Sequence, residues 1–502
     1  MIAFFLGVAL AQDLPQLEPG PYDVGVWDWD WDVVETTNPD TGRDLDADNY
    51  GRLVYPTNPD GSVAEGPFPV VVFGHGRFHS GPTLYFNHLE AGYLLERLAS
   101  WGIIATSVNL DVVGEFSFPA AIPQRGDIIR KTLERTYDID GQPGSPPAGL
   151  ADAVDDARAV IIGHSRGGEG SVAAAVQNEL AGSPLPIVGV ATIAPTDFED
   201  YELGDIPYMG IYGSKDGDVS SGSPIIVHDR ATSATKLFHY IHGANHFWFT
   251  ETINYSGEGD ADISRDLHHD LAMGYLAGFA YRQLYTPDEP SSVFVGPEMD
   301  PLTDDADILS MYRDPDRFVV DGFEVEGSTA TTDLGTRVFS KRWDYLAEPF
   351  INDSGRSLYH LTDALEVTWD SGTPHWAAGL PGSDFDATPW DYVSLKMAQL
   401  LDSPLNVAGR DQDVTIGMRD TDGDFAFVRL SDYGRIDYPV THDGGWYEVF
   451  PEKTVLHTTR IPLSAFEAAN PAIDLDHLTG VGFRADLSPS GRLFVDDVEF
   501  TQ

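Results

Sequence analysis

Short apolar runs alternate with amphipathic stretches between residues 66 and 285. Residues 69–73 read PVVVF, a β-branched run typical of a strand that is buried on both faces. Residues 85–100 place apolar side chains at helical spacing and predict a helix. Similar apolar runs predict strands at 103–108, 159–162, 187–193, 208–212 and 236–241. Strands separated by helices predict a mostly parallel sheet covered by helices on both faces, and therefore an α/β domain.

The domain boundaries follow from changes in this pattern. Residues 22–57 suit antiparallel edge strands, so we place the α/β domain at 20–285. The chain then becomes rich in Pro and Asp, which predicts a linker at 286–314. From 315 to 502, alternating segments such as DVTIGMRD and RLFVDDVEF are separated by turn residues. This second pattern predicts an all-β sandwich.

The charge of the chain excludes some partners. Lys and Arg number 30 against 80 Asp and Glu, for a formal net charge of −50. A surface this negative repels phosphate backbones and anionic membranes, so we expect no nucleic-acid partner. The small number of lysines fits a protein from a saline habitat, although an ordinary acidic secreted protein is an equal alternative. With no cysteine in the chain, disulfides and thiolate chemistry are absent.

The first eleven residues, MIAFFLGVALA, are apolar and end in a small-x-small pattern. We predict a signal peptide at 1–11, and hence a secreted or periplasmic protein, with a buried N-terminal strand as the alternative. The basic residues that usually open such a peptide are missing, so we allow for a true start upstream of Met1. No stretch of the chain predicts a transmembrane helix.

The candidate nucleophile is Ser165, in the sequence GHSRGG at 163–168. Because 50 of the 502 residues are glycine, a bare G-x-S-x-G pattern is weak evidence. Its context is stronger, since an apolar run leads into it and a helical stretch follows, as a nucleophile elbow requires. The N–H of Arg166 then lies beside a developing oxyanion. We expect the second oxyanion donor to be the N–H of Arg77, aided by Phe78, in the glycine-rich turn after PVVVF.

The candidate base and acid follow later strands. His246 follows the run at 236–241 and precedes bulky aromatic residues, which suits an oriented but reachable base. His242 is a rival base, and His239 is expected to serve packing inside the strand. Asp216 suits the turn after the run at 208–212, and Asp218 is the alternative acid.

Two further histidines, His268 and His269, lie on a predicted helix and are expected at its surface or facing a partner.

With GHSRGG and FGHGR in place, residues 66–250 resemble the α/β-hydrolase family, in its chlorophyllase, cutinase-like and poly(ethylene terephthalate) hydrolase branch. The chain order Ser165, Asp216, His246 is the order of that family. The resemblance implies hydrolysis of small or polymeric carboxylic esters through an acyl-enzyme, with no catalytic cofactor. Loop position suggests a set of residues for the substrate pocket: Phe78, Thr196, Asp197, Phe198, Phe247 and Trp248.

The C-terminal half resembles the galactose-binding-like jelly rolls of carbohydrate-binding modules, through IPLSAF, LTGVGF and GRLFVDDVEF. The resemblance implies a polysaccharide partner. It also implies a structural calcium ion held by Glu324 and Asp497, with plain solvated carboxylates as the alternative.

These features predict an extracellular serine esterase with a glycan- or surface-binding module. A non-catalytic binding protein with a relic hydrolase domain is the main alternative, although every member of the triad is present. An amide or peptide hydrolase with the same triad is the other alternative.

Overall fold

The structure is a computed structural model that describes residues 18–37, 42, 44–77, 86–111, 121–254, 258, 260–287, 306–325, 329–353, 357–401, 403–439 and 453–502. The expected signal peptide at 1–11 lies outside these residues. The described chain divides into two compact units, one covering 18–287 and the other covering 306–439 and 453–502.

One mixed sheet dominates the first unit. The strands of the first unit in this sheet are β1 (Asp23–Thr37), β2 (Asp44–Thr57), β3 (Phe68–Gly74), β4 (Ile104–Val108), β5 (Val154–His164), β6 (Ile187–Ile193), β7 (Tyr208–Gly213) and β8 (Lys236–Ile241). They lie in the order β1-β2-β4-β3-β5-β6-β7-β8. The pairs β1–β2 and β2–β4 are antiparallel, and every later pair is parallel. The carboxyl ends of β3, β5, β6, β7 and β8 therefore meet at one edge of the sheet.

Helices cover both faces of this sheet. They are α1 (Gly92–Ser100), α2 (Ile122–Tyr137), α3 (Arg166–Leu180), α4 (Ser223–Arg230), α5 (Arg265–Ala272) and α6 (Gly278–Tyr285), with a π-helical turn at Met273–Ala277. Strands β3, β4, β7 and β8 are buried along their whole length, as parallel strands between two helical layers must be. No helix in the described ranges is long and apolar enough to cross a membrane.

The sheet confirms the α/β expectation for the first unit. The run at 236–241 coincides with β8, and the antiparallel strands expected within 22–57 are β1 and β2. The helix expected at 85–100 begins only at Gly92, after a single 3-10 turn at Asn87–Leu89.

The second unit consists mainly of strands, most of which form antiparallel pairs. They are β9 (Ile308–Arg313), β10 (Arg317–Asp321), β11 (Val338–Lys341), β12 (Tyr345–Ala347), β13 (Phe350–Asp353), β14 (Leu358–Asp363), β15 (Leu365–Trp369), β16 (His375–Gly379), β17 (Tyr392–Gln399), β18 (Thr415–Asp420), β19 (Phe425–Arg429), β20 (His457–Pro462), β21 (Leu478–Arg484) and β22 (Gly491–Thr501), with one helix, α7 (Leu463–Ala469). Strand β9 lies within the stretch 286–314 that the sequence suggested as a linker.

Two antiparallel sheets enclose one core in this unit. One sheet has the order β12-β15-β22-β17-β20 with β10 beside β22, and the other has the order β11-β16-β21-β18-β19. Trp369 and Val495 of the first sheet and Trp376 and Phe483 of the second belong to one hydrophobic cluster. The coarse expectation of an antiparallel β-sandwich is therefore confirmed.

Candidate active site

Ser165 lies at the sharp junction between β5 and α3. Its φ of 56° and ψ of −127° place a non-glycine residue in a region of backbone space that side chains disfavour. The main chain holds it there, because the Ser165 N–H donates to the Ile193 carbonyl at 2.8 Å and its own carbonyl accepts from Gly168 at 2.9 Å. This strand–turn–helix geometry is that of a nucleophile elbow.

The flanking glycines are required by close approach of the main chain. A Cβ on Gly163 would lie 2.2 Å from the Gly167 carbonyl oxygen. A Cβ on Gly167 would lie 2.2 Å from the carbonyl oxygen of Gly74 and 2.4 Å from that of His75. The second contact also brings the turn after β3 against the start of α3, where the oxyanion donors were expected.

Asp216 and His246 form a buried pair at the ends of β7 and β8. His246 Nδ1 lies 2.7 Å from Asp216 Oδ2, and both side chains are almost fully buried. The other oxygen of Asp216 accepts the N–H groups of Asp218 at 3.0 Å and Val219 at 2.7 Å. The turn after β7 therefore fixes the Asp216 carboxylate, which in turn fixes the imidazole.

The main chain around His246 is held by three side chains whose role here the sequence did not predict. Glu258 is buried and accepts the N–H of His246 with one oxygen and that of Phe247, at 3.2 Å, with the other. His268 Nε2 accepts the N–H of Asn245 at 3.0 Å. Asn245 Oδ1 accepts the N–H of Trp248 at 3.0 Å. Four successive amides, 245–248, thus have fixed acceptors, so the loop presents His246 rigidly.

The carboxylates around His246 set its protonation. Burial by itself lowers the pKa of His246, but the charge and hydrogen bond of Asp216, together with Asp218 and Glu258, outweigh burial and raise this pKa to about 9. Burial and the charge of Asp216 raise the pKa of Glu258, against the opposing effects of His246 and the two N–H donors. The acidic surroundings therefore favour the imidazolium form of His246.

The second nitrogen of His246 is available for a reacting group. Its Nε2 has no hydrogen-bond partner in the part of the chain that the structure describes. Asp218 Oδ2 lies 3.5 Å away on a side chain that is 47% exposed. The rings of His164 and His246 are 4.5 Å apart, so the residue before Ser165 contacts the base. Ser165 and His246 do not form a hydrogen bond here, and such bonds often tighten only when substrate binds.

The start of α3 has an unpaired amide and lies near three arginines. The Arg166 N–H donates no hydrogen bond among the described residues, as is normal for the first amide of a helix. Burial lowers the pKa of Arg166, and so does the nearby charge of Arg77, whereas Asp218 and Glu169 oppose this shift. Burial likewise lowers the pKa of Arg125 to about 9, with Arg166 and Arg77 contributing in the same direction. Cations and carboxylates therefore both lie close to Ser165.

The structure places the suggested pocket residues at two positions. Thr196 donates to Glu169 Oε2 at 2.6 Å and its N–H lies 3.3 Å from the Ser165 carbonyl. The Phe198 ring lies beneath the Arg166 guanidinium, at 5.6 Å. Both lie beside the elbow.

On the other side, Phe247 is buried and its ring is 5.0 Å from that of His246. Trp248 stacks under Arg265, at 5.8 Å. Asp197 forms an ion pair with Arg230. Phe78 lies outside the described residues.

The other histidines have structural contacts. His239 lies within β8 and stacks on Tyr275 with ring centroids 3.8 Å apart. His242 is buried beside the Tyr240 ring. His269 stacks on Tyr93 at 4.0 Å. The expectation of a surface position for His268 is wrong, because it is fully buried, with Nδ1 2.7 Å from the Ser264 carbonyl.

In the second unit, the two residues expected to hold calcium have other partners. Asp497 forms an ion pair with Lys396, and Glu324 accepts a hydrogen bond from Thr362. Neither Glu324 nor Asp497 belongs to a cluster of three or more His, Asp or Glu residues, among those the structure describes, whose ligand atoms lie within 4.8 Å of one another. An ammonium group on one carboxylate does not suit a cation site.

No protein-family model matches this chain, and no curated protein matches it either.

Proposed function

We propose that the first unit is a serine hydrolase of the α/β-hydrolase fold that cleaves carboxylic esters. The observation that carries this proposal is the positive φ of Ser165 at a strand–helix junction, together with a buried Asp216–His246 pair at the ends of neighbouring parallel strands. The order serine, aspartate, histidine along the chain supports it as well.

The proposed reaction uses only groups of this chain. His246 Nε2 takes the proton of Ser165 Oγ as that oxygen attacks the ester carbonyl carbon. Asp216 accepts the Nδ1–H, so it holds the productive tautomer and stabilises the imidazolium. The N–H groups of Arg166 and Arg77 donate hydrogen bonds to the carbonyl oxygen and stabilise the negative charge that develops on it.

The second half of the reaction reverses these roles. The tetrahedral intermediate expels the alcohol, which takes the proton from His246 Nε2 and leaves an acyl group on Ser165. His246 then deprotonates a water molecule that attacks the acyl carbon. The carboxylic acid is released and Ser165 regains its proton.

A fluorophosphonate probe tests the nucleophile directly. We expect wild-type protein to gain the mass of one adduct and Ser165→Ala to gain none. Ser221→Ala, which removes an exposed hydroxyl paired with Ser223, is the matched control and should label normally. Equal labelling of Ser165→Ala and wild type, or no labelling of folded wild type, would refute the proposal.

Substrate class is tested with nitrophenyl esters of increasing chain length, a matching anilide, polyester film and an acetylated polysaccharide. We expect ester turnover that Ser165→Ala loses by about 10⁴-fold or more. Faster turnover of the anilide would identify an amide hydrolase. For the second unit we propose a galactose-binding-like jelly roll with a glycan-binding role, which the two facing antiparallel sheets support.

A further inference from the structure

One sheet of the second unit carries a concentration of cations on the side that faces away from the core. Across β11, β16, β21, β18 and β19, the strand register aligns these outward residues in three rows. The first row is Lys341, His375, Arg484, Thr415 and Arg429; the second is Phe339, Ala377, Gly482, Gly417 and Phe427; the third is Arg337, Gly379, Gly480, Arg419 and Phe425. We call these fifteen residues the cationic face.

The alternation along each strand makes this face a solvent-exposed surface. The intervening residues, such as Val338, Val481 and Met418, belong to the hydrophobic core. In contrast, Phe339 and Phe425, on the two edge strands β11 and β19, are 52% and 49% exposed. Exposed phenylalanines at both edges of a sheet need a reason, because burying them elsewhere would stabilise the protein.

An arginine guanidinium group lies over each exposed phenylalanine ring of the cationic face. The guanidinium carbon of Arg484 lies 3.9 Å from the centroid of the Phe427 ring. The corresponding distances are 4.8 Å for Arg337 over Phe339 and 5.4 Å for Arg419 over Phe425. The N–H edge of a guanidinium that lies over a ring stays available, and it matches a carboxylate with two parallel hydrogen bonds.

Some of these cations have no acidic partner among the described residues, in a chain with 80 acidic and only 30 basic residues. Arg484 pairs with Asp486, and Arg429 pairs with Asp413. For Arg337, Arg419 and Lys341, no carboxylate of the described residues lies within ion-pair distance. The pKa of His375 is lowered by burial and by three surrounding cations, Lys341, Arg342 and Arg484, which is consistent with a positive local potential.

The middle row of the cationic face has little side-chain volume of its own. Gly417, Gly482 and Ala377 follow one another across three strands between Phe427 and Phe339. Four strand spacings, or roughly 19 Å, separate the two strands that carry these phenylalanines. The Phe427 ring covers Gly417, since a Cβ on that glycine would lie 2.6 Å from a ring carbon. The small residues that remain beside the ring are Gly482 and Ala377, and a chain that crosses the face there passes between the arginines of the first and third rows.

We propose that the cationic face binds a polysaccharide whose sugars carry carboxylates, a polyuronate. Carboxylates suit the guanidinium groups that lie over the rings, and the small residues Gly482 and Ala377 leave room for sugar rings between the two rows of cations. Duplex DNA carries one charge per about 1.7 Å, so the rest of this very acidic protein repels it far more strongly than a polymer with one charge per sugar. An anionic membrane meets the same repulsion, and the phenylalanines are covered by arginines rather than free to insert.

Binding of the full-length protein to polygalacturonate tests this proposal, with calorimetry or affinity electrophoresis at two salt concentrations. We expect measurable binding that weakens with salt and is lost on the methyl-esterified polymer, which has no charge. Arg419→Gln should weaken binding about tenfold, and Arg337→Gln with Arg419→Gln should weaken it further. Arg410→Gln removes an exposed loop arginine of the same unit and is the charge-matched control, which should bind normally.

Four outcomes would overturn the proposal: no binding of the wild type, equal binding to the esterified polymer, equal losses in Arg419→Gln and Arg410→Gln, or tighter binding to duplex DNA or phosphatidylserine vesicles. A thermal melt of each variant shows that it is folded, and competition of the wild-type complex by galacturonate oligomers provides a measurement without any substitution. This binding site does not depend on the proposed hydrolase activity.

Discussion

The two aspartates beside His246 should respond to the same substitution in opposite directions. Asp216 holds Nδ1 at 2.7 Å, whereas Asp218 lies 3.5 Å from Nε2, the nitrogen that must accept a proton. Only a neutral imidazole can act as the base. Because the pKa of His246 is raised to about 9, kcat/KM should increase with pH up to about that value.

The expected effect of Asp218→Asn follows from Coulomb's law. A unit charge 3.5 Å from an imidazolium stabilises it by about 1 kcal/mol when solvent screens the pair, as it does for a half-exposed carboxylate. Removing that charge lowers the midpoint of the pH profile by about 0.7 pH unit. The neutral fraction of His246 at pH 7 then increases about fivefold, so kcat/KM at pH 7 should increase even if the weaker base loses about threefold in limiting rate.

Asp216→Asn should have the reverse effect. The asparagine oxygen can still accept hydrogen bonds from the N–H groups of Asp218 and Val219, so the turn stays intact. Its NH2 group then faces Nδ1 and imposes the wrong tautomer, which should lower turnover about 10⁴-fold. Loss of activity in Asp218→Asn with survival of Asp216→Asn would show that Asp218 is the triad acid.

The assay is pH-stat titration of a short-chain soluble ester from pH 5 to pH 10, with Ser165→Ala as the blank for spontaneous hydrolysis. Both variants keep the wild-type volume, so a thermal melt is sufficient to exclude unfolding. A midpoint that stays in place in Asp218→Asn would refute the assignment of the titration to His246.

Two further substitutions test the support of the site. Glu258→Gln has only one acceptor oxygen for the N–H groups of His246 and Phe247, so one of these buried amides loses its hydrogen bond, at a cost of about 1–3 kcal/mol in stability. We expect kcat to fall while the KM for the ester changes little, which initial rates would show. Gly167→Ala places a methyl group against two carbonyl oxygens and should lower the free energy of unfolding by about 3 kcal/mol in urea titrations. Gly168→Ala, whose Cβ would lie 3.1 Å from a proline Cβ, should lower it much less, and equal effects would contradict the packing argument.

Local patterns predicted those parts of the fold and site that depend on neighbouring residues. The strand, glycine, serine and helix around Ser165 are contiguous, and Asp216 follows its strand by three residues. Glu258 had no such signal, since it is a single carboxylate in a loop twelve residues after His246. His268 was expected at the helix surface, because helical periodicity does not show that a polar side chain will accept a hydrogen bond from a buried amide, as His268 does from Asn245.

The cationic face was hidden for a different reason. The sequence predicted alternating strands, but not which strands lie side by side or in which register. Arg484 and Arg429 are 55 residues apart in the chain, and they share a row only because Thr415 of β18 pairs with both. Long-range register depends on the packing of the whole sandwich, and no local pattern encodes it.

The backbone of Ser165 has a consequence for laboratory evolution. Glycine adopts positive φ freely, whereas another residue held there loses about 1–3 kcal/mol. A screen that rewards thermal resistance alone therefore favours glycine at position 165 and removes the nucleophile. Heat-tolerant variants should be selected with turnover as a second criterion, so that the gain in stability comes from other positions.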